Sequence, residues 1–181
     1  MANSHNNAHG RGLEHENGKW FNPQTRKTTV IATPAIPEQA ATDPSVITLM
    51  LAIAEPTEDD ILMDLGCGDG RIVIAAAKKY GCRCVGIEID PDMAELAREN
   101  VRKDGLDELG LIRTGDILVD VLVPGATIVT MYLYPDLIRK VLPRCTGART
   151  IISVSHQMPR VRQTKYLIGK SHVFVFEKGV K

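Results

Sequence analysis

The residues able to do chemistry concentrate in one acidic, glycine-rich run, Asp64-Leu65-Gly66-Cys67-Gly68-Asp69-Gly70, with Glu88 and Asp116 further along. Glycines after an apolar strand let the backbone turn tightly and come close to a ligand, near the start of the next helix. A dinucleotide loop needs G-x-G-x-x-G, and here Arg71 stands where the third glycine belongs. Asp64 and Asp69 flank the turn, so a pyrophosphate would meet like charge there, whereas a cation would be attracted. Glu88 ends a second predicted strand, about 20 residues on, where a carboxylate can accept both ribose hydroxyls. Asp116 follows a third strand, placed to accept a hydrogen bond from the exocyclic amine of an adenine. Four acids around such a turn describe a pocket for an adenosine that lacks phosphate and carries positive charge.

The elements that must hold these residues follow from periodicity and capping. Asp43 is an N-cap with Pro44 at the first helical position, and Val46, Ile47, Leu49, Met50 and Ile53 form one apolar face until Pro56. Ile61–Leu65 reads as a short buried strand, Arg71–Tyr80 as an alanine-rich helix stopped by Gly81, and residues 84–89 as a second strand. Asp90-Pro91 opens a capped helix that places Met93, Leu96, Ala97 and Val101 on one stripe and ends near Gly105. Strands follow around 111–113, over 126–131 and over 149–155, with a helix from Pro135 through Leu142 between the last two. Residues 166–168 and 173–176, separated by Gly169-Lys170-Ser171, read as a hairpin. Strands buried on both faces and alternating with helices predict an α/β fold: a doubly wound, mostly parallel seven-stranded sheet with a C-terminal antiparallel hairpin.

Length and composition set the outer bounds. The 181 residues predict one domain, and an apolar fraction of 44% excludes an intrinsically disordered chain. No run approaches the roughly 18 to 20 apolar residues needed to span a bilayer. Lys and Arg number 22 against 22 Asp and Glu, which removes the simplest argument for a nucleic-acid binder. Residues 1–43 read as a flexible or loosely docked arm, with Trp20 and Phe21 as its anchor and His5, His9 and His15 in a solvated tail; 44–181 read as the folded domain. The start lacks an apolar secretory segment, and Glu14 and Glu16 argue against a transit peptide. Cys67, Cys82, Cys84 and Cys145 include no C-x-x-C pair for zinc and suit reduced thiols, so the expected location is cytoplasmic.

S-adenosylmethionine has the required character: a sulfonium, an ammonium, one carboxylate and a ribose, without phosphate. Over residues 60–155 the chain resembles the class I S-adenosylmethionine-dependent methyltransferases, through D-x-G-x-G-x-G at 64–70, Glu88 and Gly115-Asp116. The resemblance implies a Rossmann-like methyltransferase fold. It also implies that Asp64, Gly66, Gly68 and Gly70 hold the methionine part, Glu88 the ribose and Asp116 the adenine, with Cys67, Ile89 and Ile117 as further cofactor-binding positions. A narrower group is also similar, the small lysine methyltransferases related to those acting on the ATP synthase c-subunit and the adenine nucleotide translocase. That likeness lies in residues 64–77, 85–90, 129–133 and Val154-Ser155-His156. In that group a Thr-Pro pair precedes the first helix, where this chain has Thr42-Asp43-Pro44.

The methyl acceptor is read from the end of the fourth strand. Enzymes acting on base nitrogens or glutamine amides commonly carry Asn/Asp-Pro-Pro-Tyr there, and this chain has Thr130-Met131-Tyr132-Leu133-Tyr134-Pro135. Without that Asn or Asp, hydroxyls and an apolar wall remain, so Tyr132, Tyr134 and His156 are the candidate catalytic residues lining the acceptor channel. The resemblance implies a protein lysine as acceptor. RNA, a small metabolite, or a non-catalytic S-adenosylmethionine-binding module stay open as alternatives. The C-terminal third is basic, with Arg139, Lys140, Arg144, Arg149, Arg160, Arg162, Lys165 and Lys170 opposed mainly by Asp136 and Glu177. Such a face suits an anionic partner or a solvated surface.

Overall fold

The computed structural model describes residues 14–16, 19–21, 41–120 and 122–178, with backbone only for the first two stretches. The chain divides into two compact units, Met1–Ala41 and Thr42–Lys181. In the first, β1 (Glu14–Glu16) and β2 (Lys19–Phe21) form a short antiparallel pair in which His15 and Trp20 are register partners. The tail histidines His5 and His9 and the anchoring side chains of Trp20 and Phe21 lie outside the described residues.

The second unit begins with α1 (Pro44–Ala54), where the Asp43 carboxylate accepts from Ser45 N at 2.8 Å and Pro44 occupies the first turn. Then follow β3 (Ile61–Leu65), α2 (Arg71–Tyr80), β4 (Arg83–Glu88), α3 (Pro91–Lys103), β5 (Gly110–Thr114), β6 (Ile128–Met131), α4 (Pro135–Val141) with a 3-10 turn Leu142–Arg144, β7 (Thr150–Val154), β8 (Thr164–Ile168) and β9 (Ser171–Glu177). Gly81 ends α2 in the left-handed conformation that lacks a Cβ penalty, and Asp90 caps α3 by accepting from Asp92 N and Met93 N. These are the elements read from sequence, with ends shifted by a residue or two.

Seven strands form one sheet in the order β5-β4-β3-β6-β7-β9-β8. The first five run parallel, and β9 pairs antiparallel with both β7 and β8. The predicted mixed sheet and closing hairpin are therefore present. Strands β3, β4, β6, β7 and β9 alternate between two cores. Leu62, Ile128, Ile152, Val173 and Val175 pack in the cluster that also contains Val46, Met50, Ile72, Val73, Ala97 and Val101 of α1, α2 and α3. Met63, Leu65, Val129, Met131, Ile151 and Phe174 pack with Ile138 and Val141 of α4. Helices thus cover both faces.

One ionic lock, centred on the buried Asp60, was not anticipated from sequence. The Asp60 carboxylate, ahead of β3, accepts from Arg149 Nη2 at 2.9 Å, Thr127 Oγ1 at 2.6 Å and Thr57 N at 2.9 Å. Arg149 also reaches the Glu55 carbonyl at 3.2 Å, so one group ties the end of α1 to the starts of β3, β6 and β7. Burial raises the Asp60 pKa, but the Arg149, Thr127 and Thr57 hydrogen bonds outweigh it and hold it well below the usual carboxylate range. Among the described residues no helix is long and apolar enough to cross a membrane.

Candidate active site

The strand order turns back on itself between β3 and β6, and ligands in such sheets bind beyond the carboxyl ends at that point. Every candidate from the sequence lies at one of those ends. Across the sheet they follow in the order Asp116 after β5, Glu88 on β4, the glycine loop after β3, Tyr132 and Tyr134 after β6, and His156 after β7. The sheet therefore arranges the predicted adenine, ribose, methionine and acceptor positions along one edge.

The loop is anchored before any ligand arrives. Gly66 N and Cys67 N both donate to the Ile87 carbonyl, at 2.8 and 3.1 Å, and Asn100 Nδ2 donates to the Asp69 carbonyl at 3.0 Å. Gly68 has φ +54 and nothing within 4 Å of where a Cβ would be, so its backbone fronts open space as a cradle must. Cys67 occupies the loop differently. Its side chain is buried, and a Cβ on Gly86 would come within 2.6 Å of its sulfur, so it packs under the loop against β4. Burial pushes its thiol far up, which keeps it protonated.

Asp64 sits at the centre. It is buried, pairs in register with Gly86 on β4 and Thr130 on β6, and accepts from Thr130 Oγ1 at 2.7 Å. Burial is the main cause that pushes its pKa up to about 7; the Thr130 bond opposes the rise, while Glu88 and Asp69 add to it. Burial thus disfavours the charged form of this carboxyl unless a cation or a donor compensates it. Asp69, read from sequence as a second bare charge, instead forms an ion pair with Arg71 at 2.6 Å. That Arg71 hydrogen bond holds the Asp69 carboxyl below its usual range. Arg71 also donates to the Thr42 carbonyl at 3.2 Å, fixing the segment where the related lysine methyltransferases carry Thr-Pro.

Glu88 is only 3% exposed. Its carboxylate accepts from Gly68 N and Ile89 N, each at 2.9 Å, and from Asp90 N at 3.1 Å. Three of about four acceptor sites are thus used by the backbone, and the group braces the loop. Asp116 accepts from Leu118 N at 2.8 Å with one oxygen. Ile89 is 51% exposed, a large apolar side chain in the open beside Glu88, whereas Ile117 is packed into the core cluster of α4.

On the acceptor side, Leu133 is buried against the loop, its Cδ2 3.1 Å from a Cβ built on Gly66. The flanking Tyr132 and Tyr134 are exposed, Tyr134 at 64%. Tyr134 is the N-cap of α4 but makes no capping bond with its side chain. Its ring lies 6.2 Å from that of His156. The His156 Nδ1 is buried with no hydrogen-bond partner among the described residues, an unsatisfied group of the kind that functional sites retain. Its backbone is held by Ser153 Oγ, which donates to the His156 carbonyl at 2.7 Å. The structure therefore brings Tyr134 and His156 together, with Tyr132 on the same segment. Sequence reasoning gave no role to Thr130, whose partnership with Asp64 depends on the β3–β6 register.

The chain is similar to known proteins. A protein-lysine N-methyltransferase of Saccharolobus islandicus is 38% identical over 104 residues, covering 57% of this chain and 64% of that protein. The ribosomal protein L11 methyltransferase of an Exiguobacterium species is 31% identical over 99 residues, but the match spans only 32% of its length. The crystal structure of an RNA methyltransferase from Salinibacter ruber in complex with S-adenosyl-L-homocysteine superposes with a TM-score of 0.72 at 34% identity, covering 78% of this chain and 96% of that one. The family model described as the ANTKMT methyltransferase domain matches residues 64–165. With its glycine loop, its row of acids and its sheet order, the chain belongs to that family and carries a class I S-adenosylmethionine-dependent methyltransferase domain.

Proposed function

We propose that the chain transfers a methyl group from S-adenosylmethionine to the ε-amine of a lysine in a protein. The observation that carries this reading is the segment at the end of β6, where exposed Tyr134 stands 6.2 Å from the His156 ring, whose buried Nδ1 has no hydrogen-bond partner among the described residues, with exposed Tyr132 on the same segment and no Asn or Asp at 130–135 to clamp a planar amine. Aromatic faces attract a cationic side chain as it approaches. The Saccharolobus relative, named for lysine N-methylation, supports the acceptor class.

The donor set fits the cofactor. Asp64 and Glu88, both buried beside the open face of Gly68, favour a cation and repel a diphosphate. In this reading Asp64, Gly66, Gly68 and Gly70 hold the methionine part, Glu88 the ribose and Asp116 the adenine, with the exposed Ile89 on its apolar face and Ile117, packed into the α4 core cluster, backing that wall. Cys67 contributes through the shape of the loop.

When bound, S-adenosylmethionine supplies an electrophilic methyl on a sulfonium, which a neutral amine accepts as the C–S bond breaks and the sulfur keeps its electron pair. Lysine has a reference pKa near 10.4, so on the order of one amine in a thousand is neutral at pH 7. Removal from water between Leu133 and the tyrosine rings favours that neutral form. His156 Nδ1 can accept the released proton directly or through water. The remaining acceleration comes from alignment of amine and methyl in near contact.

RNA is the second reading, favoured by the likeness to the Salinibacter RNA methyltransferase and by the basic C-terminal third. Incubation of the protein with methyl-labelled cofactor and cell lysate, followed by protease or ribonuclease treatment, separates the two. The lysine reading predicts label released by protease and recovered as methyllysine on acid hydrolysis. Label released by ribonuclease, or found in small molecules alone, overturns it.

A further inference from the structure

Beside the acceptor segment lies a cavity of about 410 Å³, lined by Pro135 and Arg139 of α4 and by Gln157, Met158, Arg160 and Gln163 of the segment after β7. Pro135 follows Tyr134 and Gln157 follows His156, so the cavity adjoins the two side chains that line the proposed lysine channel. Resting on the lysine reading above, we infer that this cavity is a specificity subsite that takes an acidic side chain of the protein acceptor, close in sequence to the methylated lysine.

Charge sets the ligand class. From residue 137 to residue 176 the chain holds Lys and Arg repeatedly and contains no Asp or Glu. Asp136 is the acid beside the cavity, and it already pairs with Arg139 through a single bond of 2.8 Å. A guanidinium has five N–H donors, so Arg139 keeps donors for a second carboxylate. Arg160 makes no hydrogen bond or ion pair among the described residues. Two guanidinium groups from separate elements at one cavity can grip a carboxylate in the paired geometry that lysine cannot reproduce.

The wall is formed in advance. Gln163 closes the segment by accepting from Met158 N at 3.0 Å and donating to the Met158 carbonyl at 2.8 Å, and the Met158 side chain is buried. Loop ordering therefore costs little on binding. An RNA strand would call for a long basic groove with aromatic rings on which bases stack. This cavity is no such groove: it is the size of a side chain with its neighbouring backbone.

The test uses short peptides with one lysine, a neutral parent and a set in which one glutamate is moved through each flanking position. The best glutamate peptide is expected to exceed the parent about tenfold in kcat/KM, through KM, with the advantage shrinking as salt is raised. In R139Q/R160Q the ratio falls to near one, while S-adenosylhomocysteine affinity by calorimetry stays as in the parent protein. R139K/R160K keeps the charge and recovers only part of the preference. Binding of a glutamate peptide with norleucine in place of lysine, followed by fluorescence anisotropy, is expected to weaken in parallel. Equal rates for glutamate and neutral peptides, or a preference that survives R139Q/R160Q, overturn the subsite and leave lysine methylation standing. Failure to methylate any lysine peptide, with RNA accepted instead, overturns both.

Discussion

Replacing Asp64 by Asn should make the cofactor-free protein more stable and the cofactor complex weaker. The Asp64 carboxyl is buried with a pKa pushed up to about 7 from an ordinary value of 3.8. Between those values the folded chain keeps a proton that the unfolded chain has released, so stability falls as pH rises from about 4 to about 7. The slope is about 1.4 kcal/mol per pH unit, and the total is at most about 4 kcal/mol. Asn is neutral throughout and its carbonyl can still accept from Thr130. The gap in Tm between D64N and the parent protein should therefore open from near zero around pH 4 to about 10 °C at pH 8, since each kcal/mol shifts a domain of this size by about 2 to 4 °C. Removal of the carboxylate deprives the cofactor ammonium of a charge-assisted hydrogen bond worth about 1.5 to 3 kcal/mol, so S-adenosylmethionine binding should weaken about tenfold to a hundredfold. Thermal melts of both proteins across this pH range, with calorimetric titration at neutral pH, read both effects. A Tm gap that stays constant at every pH would refute the argument, because the pKa of Asp64 would then be the same in the folded and unfolded chain.

Other perturbations separate the parts of the site. Glu88→Gln should weaken S-adenosylhomocysteine binding by about 1 to 3 kcal/mol, read by calorimetry, and loosen the glycine loop as well, because an amide nitrogen cannot accept from the backbone N–H groups that the carboxylate holds. Tyr132→Phe should slow turnover about tenfold with cofactor affinity unchanged, and equal losses in both would place Tyr132 outside the acceptor site. Asp60→Ala should destabilise the fold by about 2 kcal/mol in denaturant titrations, because Arg149, Thr127 and Thr57 lose a common acceptor. Since the folded Asp60 pKa is depressed, the parent protein should lose this stability as pH falls below about 4, and D60A should lack that acid-sensitive component.

The frame was legible because local rules and global packing agree. Asp43 and Asp90 are real caps, Gly81 is a real stop, and the glycine-separated run near the C-terminus is a real antiparallel hairpin. Boundaries slipped where side chains interrupt the ladder. Residues 126 and 127 fall outside β6, and Thr127 spends its hydroxyl on Asp60. Ile89 falls outside β4, where Glu88 turns back to accept from the next two amides. That the acids stand at the ends of successive strands was readable from the sequence, and the sheet order set them side by side. Their charge state was not readable, because it depends on cross-strand register and on neighbours far apart in the chain. Asp64 meets Thr130 only after β3 pairs with β6, and the neutralisation of Asp69 by Arg71 depends on a side-chain conformation at the start of α2.

The central claim is that a crevice of buried acids selects a positively charged, phosphate-free nucleoside. Calorimetric titration of the cofactor-free protein with S-adenosylmethionine, NAD and ATP at neutral pH tests it most directly. Saturable binding of S-adenosylmethionine, with no heat from either phosphate-bearing nucleotide, is the predicted outcome. Binding of NAD or ATP as tight as that of S-adenosylmethionine would contradict it.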